Sequence, residues 1–359
     1  MAEDDDKRHN AAEGESSEGG QPAGWEVPPP PTQSEQQPRQ SIKPPVKALD
    51  RRHWAAKIGI SFNTLKSEGF KKLYPFESRL QDVKGHSFHY LDEGQGEPVV
   101  MVHGNPTWSF YYRNLVIGLR DTHRCLVPDH LGCGFSEKPQ KYAYNLENHI
   151  INFETWLEAT LPPPSWNGGK INMIVHDWGG PIGIGYACRH PERIKRLIVL
   201  NSSVFTAGVM PLRIRVCRIP YLGAFLVKGL NLFASFATEM TTVKQMPYRV
   251  KKYYPLPYNS WKNRIGVYQF IRDIPLELGS PTRRLFRKME DCLKELEDKP
   301  MLIQWGMKDW CFTPEFLKLW EKRFPKAEVD KYKAGHYVLE DAGEQILEKV
   351  KIFLRRPVL

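Results

Sequence analysis

Residues 171–181 read Ile171-Asn172-Met173-Ile174-Val175-His176-Asp177-Trp178-Gly179-Gly180-Pro181, and the order of their chemistry decides the fold. Ile171 to Val175 is a short run rich in apolar and β-branched residues, which reads as a buried strand. Two glycines follow, and Pro181 opens a helix-length segment that runs to His190. Small residues let a strand turn sharply into a helix and present one side chain on the turn. Here the presented side chain is the carboxylate of Asp177.

Working outward, similar runs recur at Ser87–Leu91, Val99–Val102, Cys125–Val127, Leu197–Leu200, Met301–Gln304 and Glu328–Lys331. Helix-length segments lie between several of them, at Leu146–Leu161, Pro314–Arg323 and near Glu344–Leu354. Short apolar strands alternating with helices predict a mostly parallel central sheet with helices on both faces. The interval 204–291 breaks the rhythm and reads as a helical insert between two strands of that sheet. The expected organisation is therefore a core of 80–203 and 292–359, a helical cap of 204–291, a lead-in of 48–79, and a tail of 1–47. The tail is rich in Pro, Glu, Gln, Ser and Gly, a composition that predicts disorder. Its run Pro28–Pro31 reads as a solvated linker, with a polyproline ligand as the sharper alternative.

Three side chains that can carry chemistry follow predicted strands, where a parallel sheet binds its ligands. They are Asp177, then Asp309 in Trp305-Gly306-Met307-Lys308-Asp309-Trp310, then His336 in Ala334-Gly335-His336-Tyr337. Alone, an Asp after a strand is more often a helix cap and a His near Gly more often structural. Three suitable types at three strand ends, in the order nucleophile, acid, histidine, point to a triad. A carboxylate can displace a leaving group from saturated carbon and form an ester that water can hydrolyse. Serine in that role would form an ether with no such exit. His336 is then the base toward water, and Asp309 orients it.

A fourth element, Val102-His103-Gly104-Asn105-Pro106-Thr107-Trp108, follows another predicted strand. The backbone N–H groups of Asn105 and Trp178 are placed to stabilise an oxyanion. Their side-chain amide and indole add two neutral donors suited to a departing anion such as halide. The pattern calls for no cofactor and no metal.

The segments His103–Ser109, Asp129-His130-Leu131-Gly132-Cys133-Gly134-Phe135-Ser136-Glu137-Lys138-Pro139, and Val175–Pro181 resemble signatures of the haloalkane dehalogenases, which have the α/β-hydrolase fold. The resemblance runs from about Leu80 to the C-terminus and weakens in the insert. It implies Asp177 as nucleophile, His336 as base, Asp309 as acid, and Asn105 with Trp178 as the halide-binding pair. One branch of that family takes its acid from the strand before the insert. Here that position reads Asn201-Ser202-Ser203, so the chain is similar to the branch with the late aspartate. That branch also includes decarboxylases that convert β-lactones to long-chain olefins, with the same residues. The implied substrate is small and apolar, a haloalkane or a long-chain β-lactone. Epoxide hydrolases share the nucleophile but activate the epoxide with cap tyrosines. Tyr221, Tyr248, Tyr253, Tyr254, Tyr258 and Tyr268 keep that reading open, while Asn105 stands where those enzymes usually carry an aromatic residue. A non-catalytic binding or assembly protein is the remaining alternative.

The net charge of +10 is unevenly spread. From Pro211 to Arg264 the insert carries ten Lys or Arg against Glu239 as its single acid. The bland reading is an amphipathic cap that solvates its charges, and the sharper one is contact with a membrane surface or an acidic protein partner. No nucleic-acid-binding motif accompanies the charge. The nearly apolar stretch Leu222–Ala237 contains Lys228 and is shorter than the roughly 20 residues of a spanning helix. The chain opens Met1-Ala2-Glu3-Asp4-Asp5-Asp6, which is acidic where a secretory signal is basic and then apolar. The six cysteines show no metal-ligand spacing and read as reduced thiols. The expected location is cytoplasmic, with peripheral membrane contact left open.

Overall fold

The computed structural model describes residues 54–56, 58–162, 169–206 and 211–358. The expected tail and its proline run lie outside the described residues. Eight strands form one sheet: β1 Arg79–Val83, β2 His86–Glu93, β3 Glu97–Val102, β4 His123–Pro128, β5 Ile171–His176, β6 Ile194–Leu200, β7 Met301–Gly306 and β8 Glu328–Tyr332. Their spatial order is β1-β2-β4-β3-β5-β6-β7-β8. The β1/β2 and β2/β4 pairs are antiparallel and the other pairs are parallel.

Each strand expected from the sequence is present. The central ones are apolar along their whole length because helices cover both faces. All six residues of β5 and of β7 are buried. β1 was not anticipated. It is an edge strand of mixed polarity, Arg-Leu-Gln-Asp-Val, and its exposure does not alternate cleanly. In the lead-in, Trp54, Ile58 and Ile60 are buried, and Trp54 stacks on His89 with ring centroids 5.8 Å apart.

Between the end of β6 and the start of β7, the described residues form helices and turns. The longer helices are Leu232–Met240, Ile265–Arg272 and Pro281–Cys292. The apolar stretch that begins at Leu222 is broken into short pieces, with left-handed backbone at Asn231. Among the described residues no helix is long and apolar enough to cross a membrane.

One expectation is corrected. Cys188, in the helix after β5, and Cys292, at the end of Pro281–Cys292, form a disulfide across 104 residues of sequence. Such a pairing leaves no local spacing to read, because only the fold brings the two helices together. Cys125, Cys133, Cys217 and Cys311 are free.

Candidate active site

β5 delivers Asp177 onto the turn in left-handed backbone, φ +52°, a conformation a non-glycine residue adopts only under structural constraint. The constraint is visible on both sides. The Asp177 N–H donates to the Asn201 carbonyl at 3.2 Å, and the Ser202 hydroxyl donates to the Asp177 carbonyl at 2.6 Å. Gly179 must lack a side chain because a Cβ there would lie 1.9 Å from the Val102 carbonyl oxygen. Gly104 faces the nucleophile itself, and a Cβ on it would lie 2.0 Å from Asp177 Oδ1.

The structure brings together all five residues singled out in the sequence. Asp177 Oδ1 accepts the Asn105 backbone N–H at 2.6 Å, and Oδ2 lies 3.5 Å from His336 Nε2. On the far side of the ring, His336 Nδ1 is 2.8 Å from Asp309 Oδ2. Asp309 is fixed in turn by the backbone N–H groups of Cys311 and Phe312, at 2.6 and 3.1 Å, and by the Asn201 amide at 3.0 Å. All three titratable groups are buried.

Burial alone would depress the His336 pKa, but Asp309 and Asp177 flank the ring and raise it to about 10. Burial also opposes charge on Asp177, yet the bond to His336, the charge of that ring and the Asn105 N–H hold its carboxyl below the usual range. Placed between these two acidic side chains, the His336 ring is biased toward its protonated form. Esterification of Asp177 would remove one of those charges and lower the His336 pKa, so attack itself frees the base that hydrolysis needs.

Trp178 and Asn105 both line the cavity in front of Asp177. The Trp178 indole N–H has no protein acceptor among the described residues. The Asn105 side-chain amide donates one N–H to the Val267 carbonyl at 3.3 Å, which leaves its second for the cavity.

Two contributors had no role assigned from sequence. Asn201 was read only as the lack of a carboxylate, but its amide bridges Asp309 Oδ2 and the Gly306 carbonyl while its oxygen accepts the Gly306 N–H. Its position directly after β6, beside the acid-bearing strand, was the available signal. His176 stacks on Tyr111 and meets the His336 carbonyl at 2.9 Å. Burial, reinforced by nearby His336, pushes its pKa down to about 3, so it supports the loop as a neutral ring.

The Asp129–Pro139 segment acts beneath the site. Asp129 accepts the Ser109 and Phe135 backbone N–H groups and lies 2.8 Å from His89 Nδ1. The backbone N–H of His130 donates to His103 Nε2 at 3.1 Å. These bonds set the loop that carries Asn105.

The cavity has a volume of about 450 Å³, ordinary for a small-molecule site. Its walls are mainly carbon, including Ile214, Phe233, Phe236, Ile271, Phe286 and Phe316. None of the six insert tyrosines lines it. Tyr221 and Tyr248 are exposed, whereas Tyr254 is buried with its hydroxyl on Glu340. The cap tyrosines that the epoxide-hydrolase alternative would use are therefore not among the residues lining this cavity. Among the described residues no group of three or more His, Cys, Asp or Glu could hold a metal ion.

A sheet of this order, with a carboxylate on the turn after β5 and its histidine after β8, has the architecture of an α/β-hydrolase. The family model described as alpha/beta hydrolase fold matches residues 97–215. A cis-3-alkyl-4-alkyloxetan-2-one decarboxylase of Shewanella oneidensis is 44% identical over 79% of this chain and 89% of its own length. A decarboxylase of the same name from Xanthomonas campestris is 38% identical over 79% of this chain and 97% of its own. Haloalkane dehalogenase 2 of Mycobacterium tuberculosis is 30% identical over 77% and 94%. The crystal structure of haloalkane dehalogenase DatA from Agrobacterium tumefaciens superposes with a TM-score of 0.69, at 22% identity, over 77% of this chain and 96% of that one. The chain belongs to the α/β-hydrolase family, in its haloalkane dehalogenase-like branch. It is an enzyme of that branch, and both the dehalogenase and the β-lactone decarboxylase expectations have relatives behind them.

Proposed function

We propose that the chain decarboxylates β-lactones carrying two alkyl chains to olefins, and that the same residues also dehalogenate haloalkanes. The observation that carries the first reading is the cavity. Asp177 lines a chamber of about 450 Å³ whose apolar walls suit alkyl chains, and the relatives at 44% and 38% identity are named for such lactones.

In this reading Asp177 Oδ2 attacks the saturated ring carbon bonded to the ring oxygen. The carbon–oxygen bond breaks, its electron pair stays on oxygen, and an ester with a neighbouring free carboxylate results. Carbon dioxide then leaves. Its bonding pair forms the double bond, and the ester carbon–oxygen bond breaks to restore the Asp177 carboxylate. No water or proton is consumed, so His336 serves as a cation that steadies the changing carboxylates.

The second reading rests on Trp178 and Asn105, which line the same cavity as Asp177 and carry an indole N–H and an amide N–H beyond the one given to Val267. There, halide leaves as Asp177 Oδ2 bonds to carbon. Water attacks the ester carbonyl, His336 takes the water proton, and the Asn105 and Trp178 N–H groups hold the oxyanion. Collapse releases the alcohol and leaves one water-derived oxygen in the carboxyl group.

Residues 204–291 act as the cap over the 80–203 and 292–359 core. The test is a single turnover in oxygen-18 water with each substrate. A bromoalkane is expected to release halide and place the label in residue 177. A cis-dialkyl β-lactone is expected to yield olefin without label. Olefin formation accompanied by label in residue 177 would overturn the lactone route, and release of neither halide nor olefin would overturn both.

A further inference from the structure

Exposed apolar surface on this chain is concentrated in the insert. Of sixteen exposed large apolar side chains among the described residues, thirteen lie between Leu212 and Leu278, and only Ile117, Ile352 and Val358 lie elsewhere. Several are well out in solvent, with Tyr221 at 91%, Tyr248 at 77% and Leu212 at 73% exposure. Apolar surface gathered in this way marks a contact face.

Cations are interleaved with it. Arg215, Arg249, Lys252 and Lys262 are exposed, and no carboxylate among the described residues pairs with them. Lys262 adjoins the exposed Trp261, whose ring also carries the Lys228 ammonium at 4.7 Å. Arg249 adjoins Tyr248, and Leu212 is followed by Arg213, whose guanidinium lies 5.6 Å from the Trp310 ring centroid. Aromatic rings beside Lys and Arg suit the boundary between lipid headgroups and acyl chains. A largely acidic protein partner would match the charge but not the bulky apolar side chains that accompany it.

The same surface contains the cavity mouth. Arg213, Phe236, Met240 and Leu276 line the cavity and are also exposed, so the opening lies among them. We infer that this face of the insert docks on the headgroup region of an anionic lipid bilayer, so that an apolar substrate enters the mouth from the membrane. Docking itself is independent of the reaction; only the identity of what enters rests on the lactone reading.

Sedimentation of the full chain with vesicles tests it. Vesicles of phosphatidylcholine mixed with phosphatidylglycerol are expected to carry the protein down, and pure phosphatidylcholine is not. Binding is expected to collapse in salt on the order of 0.5 M, where surface charges are screened. The triple reversal Arg215→Glu, Arg249→Glu, Lys262→Glu is expected to weaken partitioning at least about tenfold. Leu212→Ser with Tyr248→Ser is expected to weaken it severalfold, and an unchanged thermal midpoint establishes that each variant is folded. Asp177→Asn is expected to bind as the parent does, which separates docking from chemistry. Equal binding to both lipids, no sedimentation of the parent, or no effect of the charge reversal overturns the inference.

Discussion

On the sheet side of the cavity, Asp177, Asp309 and His336 are each held by backbone or side-chain hydrogen bonds at strand ends. On the insert side, Phe233, Phe236, Ile271 and Phe286 meet the substrate space with carbon, and Arg213, Thr241 and Arg283 add a few polar groups. Directional bonds fix atoms to within tenths of an ångström, whereas apolar contact fixes shape and little else. In the proposed function, this difference places the reaction on the sheet side and the choice of substrate on the insert. Substitutions on the two sides should therefore fail in different ways.

The largest effect belongs to Asp177→Asn. An amide cannot attack saturated carbon as a carboxylate does, so release of both halide and olefin is expected to fall roughly 10⁴-fold or more. Residual olefin near the parent rate would break the comparison at its root, because the lactone would then be reacting without the nucleophile.

His336→Gln sharpens it. Glutamine keeps much of the shape but cannot take a proton from water. With a bromoalkane, one equivalent of halide is expected to appear and then stop, leaving residue 177 alkylated in the intact-protein mass. Steady turnover should drop by about 10²- to 10⁴-fold. Lactone turnover consumes no water and is expected to fall less. Equal losses on both substrates would count against the elimination route.

The insert side is probed by Phe233→Ala, which removes a ring that lines the cavity without touching the triad. KM for a long-chain substrate is expected to rise about tenfold, with kcat within a few-fold of the parent. A selective loss of kcat would mean that the insert positions the reacting atoms, and the division of labour would need redrawing.

The same contrast governs what could be read from sequence. The strands announced themselves because buried parallel strands need continuous apolar runs. The triad did so because three reactive types follow three of those runs. Trp178 was legible through its place next to Asp177, and Asn105 through its place just after the strand Val99–Val102. Asn201 was not, because an amide in a supporting bond network looks like any other amide until its partners are known. The Cys188–Cys292 disulfide and the edge strand β1 depend on long-range packing or irregular exposure, which local pattern does not encode. The insert showed its charge and helicity but not the mouth, since Arg213 and Leu276 come to one cavity only in three dimensions.

The smallest effect is a dependence of stability on pH, which tests how firmly the sheet side is held. His336 titrates near its ordinary 6.5 when unfolded and at about 10 when folded between its carboxylates. Its contribution is thus fully present below pH 6.5 and declines as pH rises toward 10, because over that window the folded chain binds more protons. Lys138 runs the other way. Burial lowers its pKa from 10.5 to about 8, so its contribution improves as pH rises through that range. Comparing the parent with His336→Gln cancels Lys138 and the other groups common to both. The urea midpoint of the parent is expected to fall relative to the variant between pH 6.5 and 8.5. If the difference stays flat, the imidazolium is not held by the two carboxylates, and the resting charge state inferred for the site is wrong.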